Sequence, residues 1–161
     1  MVVTSGAERT AQRLLVVGID GTEAGVAALA WAAEEAGRRD GRVLALAVCV
    51  PPPVVAGGPE VGGAALAQSM LAGEQLTEAA EAWLTEAIEA LPARARPLVE
   101  QRIAHGDAAT ALLDAAQGAD LLVLGNHRRG ALAGALVGSV AQHCAHHAVC
   151  PLVLVPGPGE D

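Results

Sequence analysis

Short apolar runs alternate along this chain with longer stretches of helical spacing, and that alternation organises the rest of the sequence. Arg13 to Ile19 (RLLVVGI) and Arg42 to Val50 (RVLALAVCV) are continuous apolar runs, the pattern of strands covered on both faces. Leu98 to Ala104 alternates enough to predict a strand near a sheet edge. Asp120 to Leu124 (DLLVL) and Pro151 to Val155 (PLVLV) read as the fourth and fifth strands. Between the first two runs, Thr22 and Glu23 supply a helix start. Val26, Leu29, Ala30 and Ala33 then recur at i, i+3, i+4 and i+7, one helical face of a segment that continues to Arg39.

A Pro- and Gly-rich loop, Pro51 to Gly63, separates the second strand from a long helix expected over about Ala64 to Leu91. Leu76, Ala80, Trp83 and Ala87 form its apolar stripe, and Glu74, Glu78, Glu81 and Glu89 read as a solvated face. Pro92 stops it. Asp107 caps a short helix, Ala108 to Gln117, which Gly118 closes. A glycine-rich segment, Gly125 to Gly138, follows the fourth strand and leads into a helix that runs to about Ala148. Strands alternating with helices predict an α/β fold: a single-domain open parallel five-stranded sheet with right-handed crossovers and helices on both faces. The domain is expected over residues 13–156, with a flexible N-terminus at 1–12 and a flexible tail at 157–161. Such sheets bind ligands beyond the C-terminal ends of their strands, where the strand order reverses. Attention therefore falls on Asp20, on Val48 to Val50 and on Gly125 onward.

Composition removes several functions. Of 161 residues, 52% are hydrophobic but only 1% aromatic, with two Trp and neither Phe nor Tyr, so Ala, Val and Leu must build the core. Proteins that bind single-stranded nucleic acid by stacking bases on aromatic side chains are disfavoured. All ten basic residues are Arg, which excludes a Walker A lysine, a Schiff-base lysine and a Ser–Lys dyad. A net charge of −8 argues against nucleic-acid and anionic-membrane surfaces as partners. No stretch offers the roughly 20 unbroken apolar residues that a bilayer requires. Glu8 and Arg9 precede any apolar run, unlike a signal peptide. Three cysteines, Cys49, Cys144 and Cys150, read as reduced thiols, and the expected location is cytoplasmic.

The most informative chemistry lies in Gly125-Asn126-His127-Arg128-Arg129-Gly130 and in Gly138-Ser139-Val140. Glycines after a buried strand let backbone N–H groups approach an anion, and the following helix adds its positive end and the Ser139 donors. Arg128 and Arg129 add local positive charge. The same glycines also suit a tight turn and a helix cap, and the residues alone leave both readings open.

These segments resemble the universal stress protein family over nearly the whole chain. LLVVGIDGTEAGVAALAWAAEEA is similar to that family's first strand, Asp-Gly-Ser/Thr turn and first helix. ADLLVLGNHRRGALAGALVGSVAQHCAHHAVCPLVLV is similar to its C-terminal half. The resemblance implies an adenine-nucleotide alpha-hydrolase-like sheet of order 3-2-1-4-5 and ATP binding in a regulatory, largely non-catalytic role, with Mg²⁺ accompanying the nucleotide. It implies ATP contacts at Gly18, Ile19, Asp20 and Val48, with Gly106 and Asp107 near the rim. The nucleotide-binding branch carries Gly-x2-Gly-x9-Gly-Ser/Thr, which falls here on Gly125, position 128 and Gly138-Ser139. Position 128 is Arg, so the motif is broken at its second glycine. That break keeps a nucleotide-free dimeric interaction protein in view. The resemblance also implies a homodimer through Pro151 to Val155, an apolar edge strand without charges to block pairing.

Other constellations have plainer readings. His143 and His147 share a helical face with the spacing of a divalent-metal pair, alongside Cys144, His146 and Cys150. Helix-terminal histidines beside a buried thiol explain them without zinc. Trp31 and Trp83 read as core residues, Cys49 as a buried inert thiol and Asp120 as a turn or cap residue. GIDGTEAG after the first strand is neither an SGGxDS loop nor a HIGH motif, and Gly18, Gly21 and Gly25 lack GxGxxG spacing. Neither a carboxylate pair nor a nucleophile–base couple stands out, so turnover beyond slow ATP hydrolysis is not expected.

Overall fold

A computed structural model describes residues 12–52, 63–126 and 138–159. The strands are β1 (Leu14–Ile19), β2 (Arg42–Cys49), β3 (Val99–His105), β4 (Leu121–Asn126) and β5 (Leu152–Pro156). The helices are α1 (Glu23–Arg38), α2 (Gly63–Glu89), α3 (Ala108–Ala115) and α4 (Ser139–His147), and a 3₁₀ turn at Arg96–Leu98 leads into β3. All strand pairs are parallel and the sheet order is β3-β2-β1-β4-β5, as expected. β3 and β5 are the edges. The chain leaves β1 towards β2 and β3, then crosses back to β4, so the order reverses between β1 and β4.

Alternation along the strands divides the core in two. Leu15, Val17 and Ile19 of β1, with Val43, Ala45 and Ala47 of β2, face α1 and α2. Val16, Leu44, Leu46, Leu122 and Leu124 face α3 and α4. β1 and β2 are therefore buried on both sides, which accounts for their unbroken apolar runs. Asp120 ties the start of β1 to that of β4: its carboxylate accepts from the Leu14 amide at 2.8 Å, and its own amide donates to the Leu14 carbonyl at 2.8 Å.

Two details depart from the sequence expectation. The buried face of α1 is Ala24, Gly25, Ala28, Leu29, Ala32, Ala33 and Ala36, whereas Ala30 is exposed and Val26 only partly buried. Small residues at i and i+4 let the helix sit close on the sheet, and this closeness overrides the pattern of larger side chains. Trp31 consequently points away from the core and is 36% exposed. β4 also continues beyond Leu124: Gly125 and Asn126 pair with Val155 and Pro156, so the first two residues of the glycine-rich segment belong to the sheet.

That extension depends on a close approach. A Cβ on Gly125 would lie 2.5 Å from the Ala24 carbonyl carbon and 2.8 Å from the Gly25 nitrogen, both backbone atoms of α1. A Cβ on Gly18 would instead meet the tip of the Leu124 side chain at 2.7 Å, and that tip can turn aside. Gly125→Ala is therefore expected to destabilise the domain by about 1–3 kcal/mol, the usual range for overpacking. Gly18→Ala should have the smaller effect. Urea unfolding of both variants tests the ranking, and equal midpoints would contradict the backbone contact.

Candidate functional site

A cleft of about 350 Å³ opens beyond the C-terminal ends of β1, β2 and β4. Gly18, Ile19 and Asp20 come from the end of β1, Val48 and Val50 from the end of β2, and Gly125 from β4. Gly138, Ser139, Val140 and Ala141 come from the start of α4, Leu112 from α3 and Trp83 from α2. Residues separated by more than a hundred positions thus meet at the reversal of strand order, as open parallel sheets dictate.

The cleft lining is of two chemical kinds. Leu46, Val48, Val50, Leu112, Leu124 and Val140 contribute apolar side chains. α4, whose first residues also line the cleft, begins at Gly138, which carries no capping side chain. The first amides of a helix have no intrahelical acceptor, so those of Ser139, Val140 and Ala141 remain donors at the positive end of the helix dipole. Asp20 is the only ionisable side chain among the described lining residues. Its carboxylate accepts from the Thr22 amide at 3.2 Å and from the Thr22 hydroxyl, whose oxygen in turn accepts from the Gly25 amide at 3.2 Å. The turn from β1 into α1 is therefore fixed by side chain–backbone bonds, with Thr22 as the N-cap.

Most of the sequence-selected residues converge here. Gly18, Ile19, Asp20, Val48, Gly125, Gly138, Ser139 and Val140 all line this one cleft. Asn126 is the last residue of β4, its carbonyl accepting from the Gly157 amide at 3.3 Å. His127, Arg128, Arg129 and Gly130 lie outside the described residues. Asp107 lines a neighbouring pocket with Arg102, His105 and Thr110, and that pocket shares Leu46 with the cleft.

Trp83 is the residue that sequence reasoning placed elsewhere. It is half-buried in the cleft wall, not enclosed in the core. Its indole lies over the β1–α1 turn, where Gly21 has φ +79° and a Cβ would fall 2.5 Å from Nε1. Helical periodicity puts Trp83 on the same side as Ala80 and Ala87. That Gly21 meets it from another element is a tertiary fact with no local signal.

The histidine cluster does not converge on a metal. The rings of His143 and His147 stack at 4.3 Å, and His147 Nδ1 lies 2.9 Å from the His143 carbonyl oxygen. Among the described residues, no group of three or more His, Cys, Asp or Glu could hold an ion. Burial raises the thiol pKa of both Cys144 and Cys150, and Cys49 is buried with its Sγ 3.4 Å from the Leu76 carbonyl. All three cysteines are free thiols.

A family model described as the universal stress protein family matches residues 13–156. A universal stress protein of Mycolicibacterium smegmatis is 32% identical over 159 residues, covering 96% of this chain and 50% of its own. The chain spans about half the length of the curated relatives it matches. Among solved structures, the universal stress protein UspA from Lactobacillus plantarum superposes with a TM-score of 0.64 at 20% identity, covering 89% of this chain and 97% of its own. A universal stress protein in complex with cAMP gives 0.54 at 23% identity over 89% and 95%. One from Archaeoglobus fulgidus in complex with dAMP gives 0.50 at 17% identity over 89% and 97%. At these identities the structures establish the likeness of fold. Among the described residues, no helix is long and apolar enough to cross a membrane.

Asp107 yields a pH prediction. Hydrogen bonds from the Thr110 amide at 2.9 Å and hydroxyl at 2.8 Å hold its carboxyl below the usual aspartate range. A lowered folded-state pKa means the cap is fully present above the ordinary aspartate value and is lost as pH falls through the depressed one. Carbon-detected titration of the Asp107 carboxyl should find it below the usual range, and Thr110→Ala should return it towards that range. An ordinary value in the parent protein would contradict the cap.

Proposed function

The chain belongs to the universal stress protein family, and from that premise we propose that it binds an adenine nucleotide, ATP foremost, in the cleft between β1 and β4. The role is regulatory and largely non-catalytic. The observation that carries this reading is the pairing, in one cleft, of an apolar slot with the uncapped start of α4. A planar purine suits the slot, and phosphate oxygens suit the amides of Ser139, Val140 and Ala141. Asp20, at the turn after β1, lines the same cleft, and its carboxylate is the acceptor that ribose hydroxyls would meet.

The donor set fits a nucleotide better than a resident metal. Mg²⁺ would arrive with the triphosphate, and among the described lining residues the Ser139 hydroxyl is the side-chain oxygen at the start of α4 that could face it. The adenine named in the cAMP and dAMP complexes of two structural neighbours supports the choice of base. Among the described lining residues Asp20 is the one ionisable side chain, and the reading as a largely non-catalytic binder rests on that set.

Arg128 favours a second reading, a nucleotide-free dimeric interaction protein. It stands where the family's nucleotide motif has its second glycine, and an Arg lacks the backbone freedom that a glycine brings to a phosphate loop. Association belongs to both readings. β5 is an edge strand whose residues Leu152 to Val155 are uncharged and half-buried, an open template for antiparallel pairing with a second copy.

Calorimetric titration with ATP, ADP and AMP separates the two readings. Saturable binding with micromolar affinity for ATP is expected, and no heat at millimolar nucleotide would leave the nucleotide-free reading standing. For the pairing edge, light scattering should report a dimer at micromolar protein and a monomer for Val153→Lys. A parent protein that is already monomeric would contradict it.

A further inference from the structure

Trp83 is one of two aromatic side chains outside histidine in the whole chain, and the other, Trp31, lies exposed on the outer face of α1. Its position is built. Gly21, at φ +79°, is the only residue type that both relieves the backbone there and leaves room for the indole, since a Cβ would fall 2.5 to 2.8 Å from Nε1, Cε2 and Cδ1. On its other side Trp83 packs against the core that α2 shares with β1 and β2. Turn and ring thus hold each other in place before any ligand arrives.

The indole nitrogen is a donor and nothing else, and buried Trp residues ordinarily give it an acceptor. Among the described residues Trp83 Nε1–H has no hydrogen-bond partner. The atom is not sealed off, because no buried side-chain nitrogen or oxygen lacks a partner among those residues. An oriented, unpartnered donor with solvent access therefore sits on a cleft wall that is otherwise mostly aliphatic and backbone. It stands beside Gly21, one residue beyond Asp20.

We infer that Trp83 is a specificity-determining residue of this cleft. Its Nε1–H donates to an acceptor on the nucleoside part of the ligand while the indole closes the slot beside the base. This rests on the nucleotide reading above and goes beyond it in assigning α2 a direct part in recognition. Because Gly21 holds the ring beforehand, little ordering accompanies binding, and the contact discriminates for ligands that present an acceptor at that point. Adenosine should suffice to engage it, since the proposed reading assigns the phosphates to the amides of α4.

The test uses Trp83 as its own reporter. In Trp31→Phe protein, adenosine and ATP should both change the Trp83 emission along the same saturation curve that calorimetry records. In Trp83→Phe protein the remaining Trp31 emission should stay constant, and affinity should fall about five- to tenfold, as for one lost hydrogen bond with its contact. Near-unchanged unfolding midpoints for both variants would assign the loss to binding and not to folding. If calorimetry detects ATP but Trp83 emission is unmoved and Trp83→Phe binds within twofold, this inference fails and the nucleotide reading survives. If no nucleotide gives heat or an emission change, both fall.

Discussion

The cleft exists because α1 begins in backbone contact with the end of β4. At Gly125 the strand passes so close to Ala24 and Gly25 that a single Cβ would overlap main-chain atoms. Gly157 then packs beside Ala24, its amide reaching back to the Asn126 carbonyl. With the first turn of α1 pressed onto β4, the β1–α1 turn stands at the mouth of the crevice, held by Asp20 and Thr22. The floor is consequently made of strand ends and glycines. Among the described residues, what remains to contact a ligand is mostly backbone and aliphatic wall, with the Asp20 carboxylate, the Ser139 hydroxyl and the Trp83 indole.

The same cleft gives this acidic, lysine-free chain a helix start without a capping side chain. Net charge of −8 acts at long range, but recognition at a helix start is local, and the amides of α4 need no lysine beside them. The small residues along the inner face of α1 belong to the same design. Ala24, Ala28, Ala32 and Ala36 let the helix lie close, and the large residue Trp31 is displaced outward. The curated relatives are about twice as long as this chain.

Much of this was legible in the sequence, for physical reasons. Both-sided burial made β1 and β2 unbroken apolar runs, and side-chain capping marked the starts of α1 and α3 at Thr22 and Asp107. Strand order and the cluster Gly18, Asp20, Val48, Gly125 and Ser139 followed from resemblance combined with the rule that ligands bind where strand order reverses. The misreadings came where distant segments decide the outcome. Helical spacing could not separate the two sides of α1, because closeness to the sheet rewards alanine over larger residues. Periodicity put Trp83 with Ala80 and Ala87, but Gly21, sixty-two positions earlier, makes room for it in the cleft wall. β4 ran two residues longer than its apolar core because Gly125 and Asn126 are held by β5 partners.

Backbone amide spectra of isotope-labelled protein, recorded during an ATP titration, address the central claim most directly because the cleft is lined so largely by main chain. Shifts should cluster at Gly18 to Gly21, Val48, Gly125 and Gly138 to Ala141, while β3 and the C-terminal half of α1 stay still. Unperturbed amides throughout, or a cluster on another face of the domain, would contradict it.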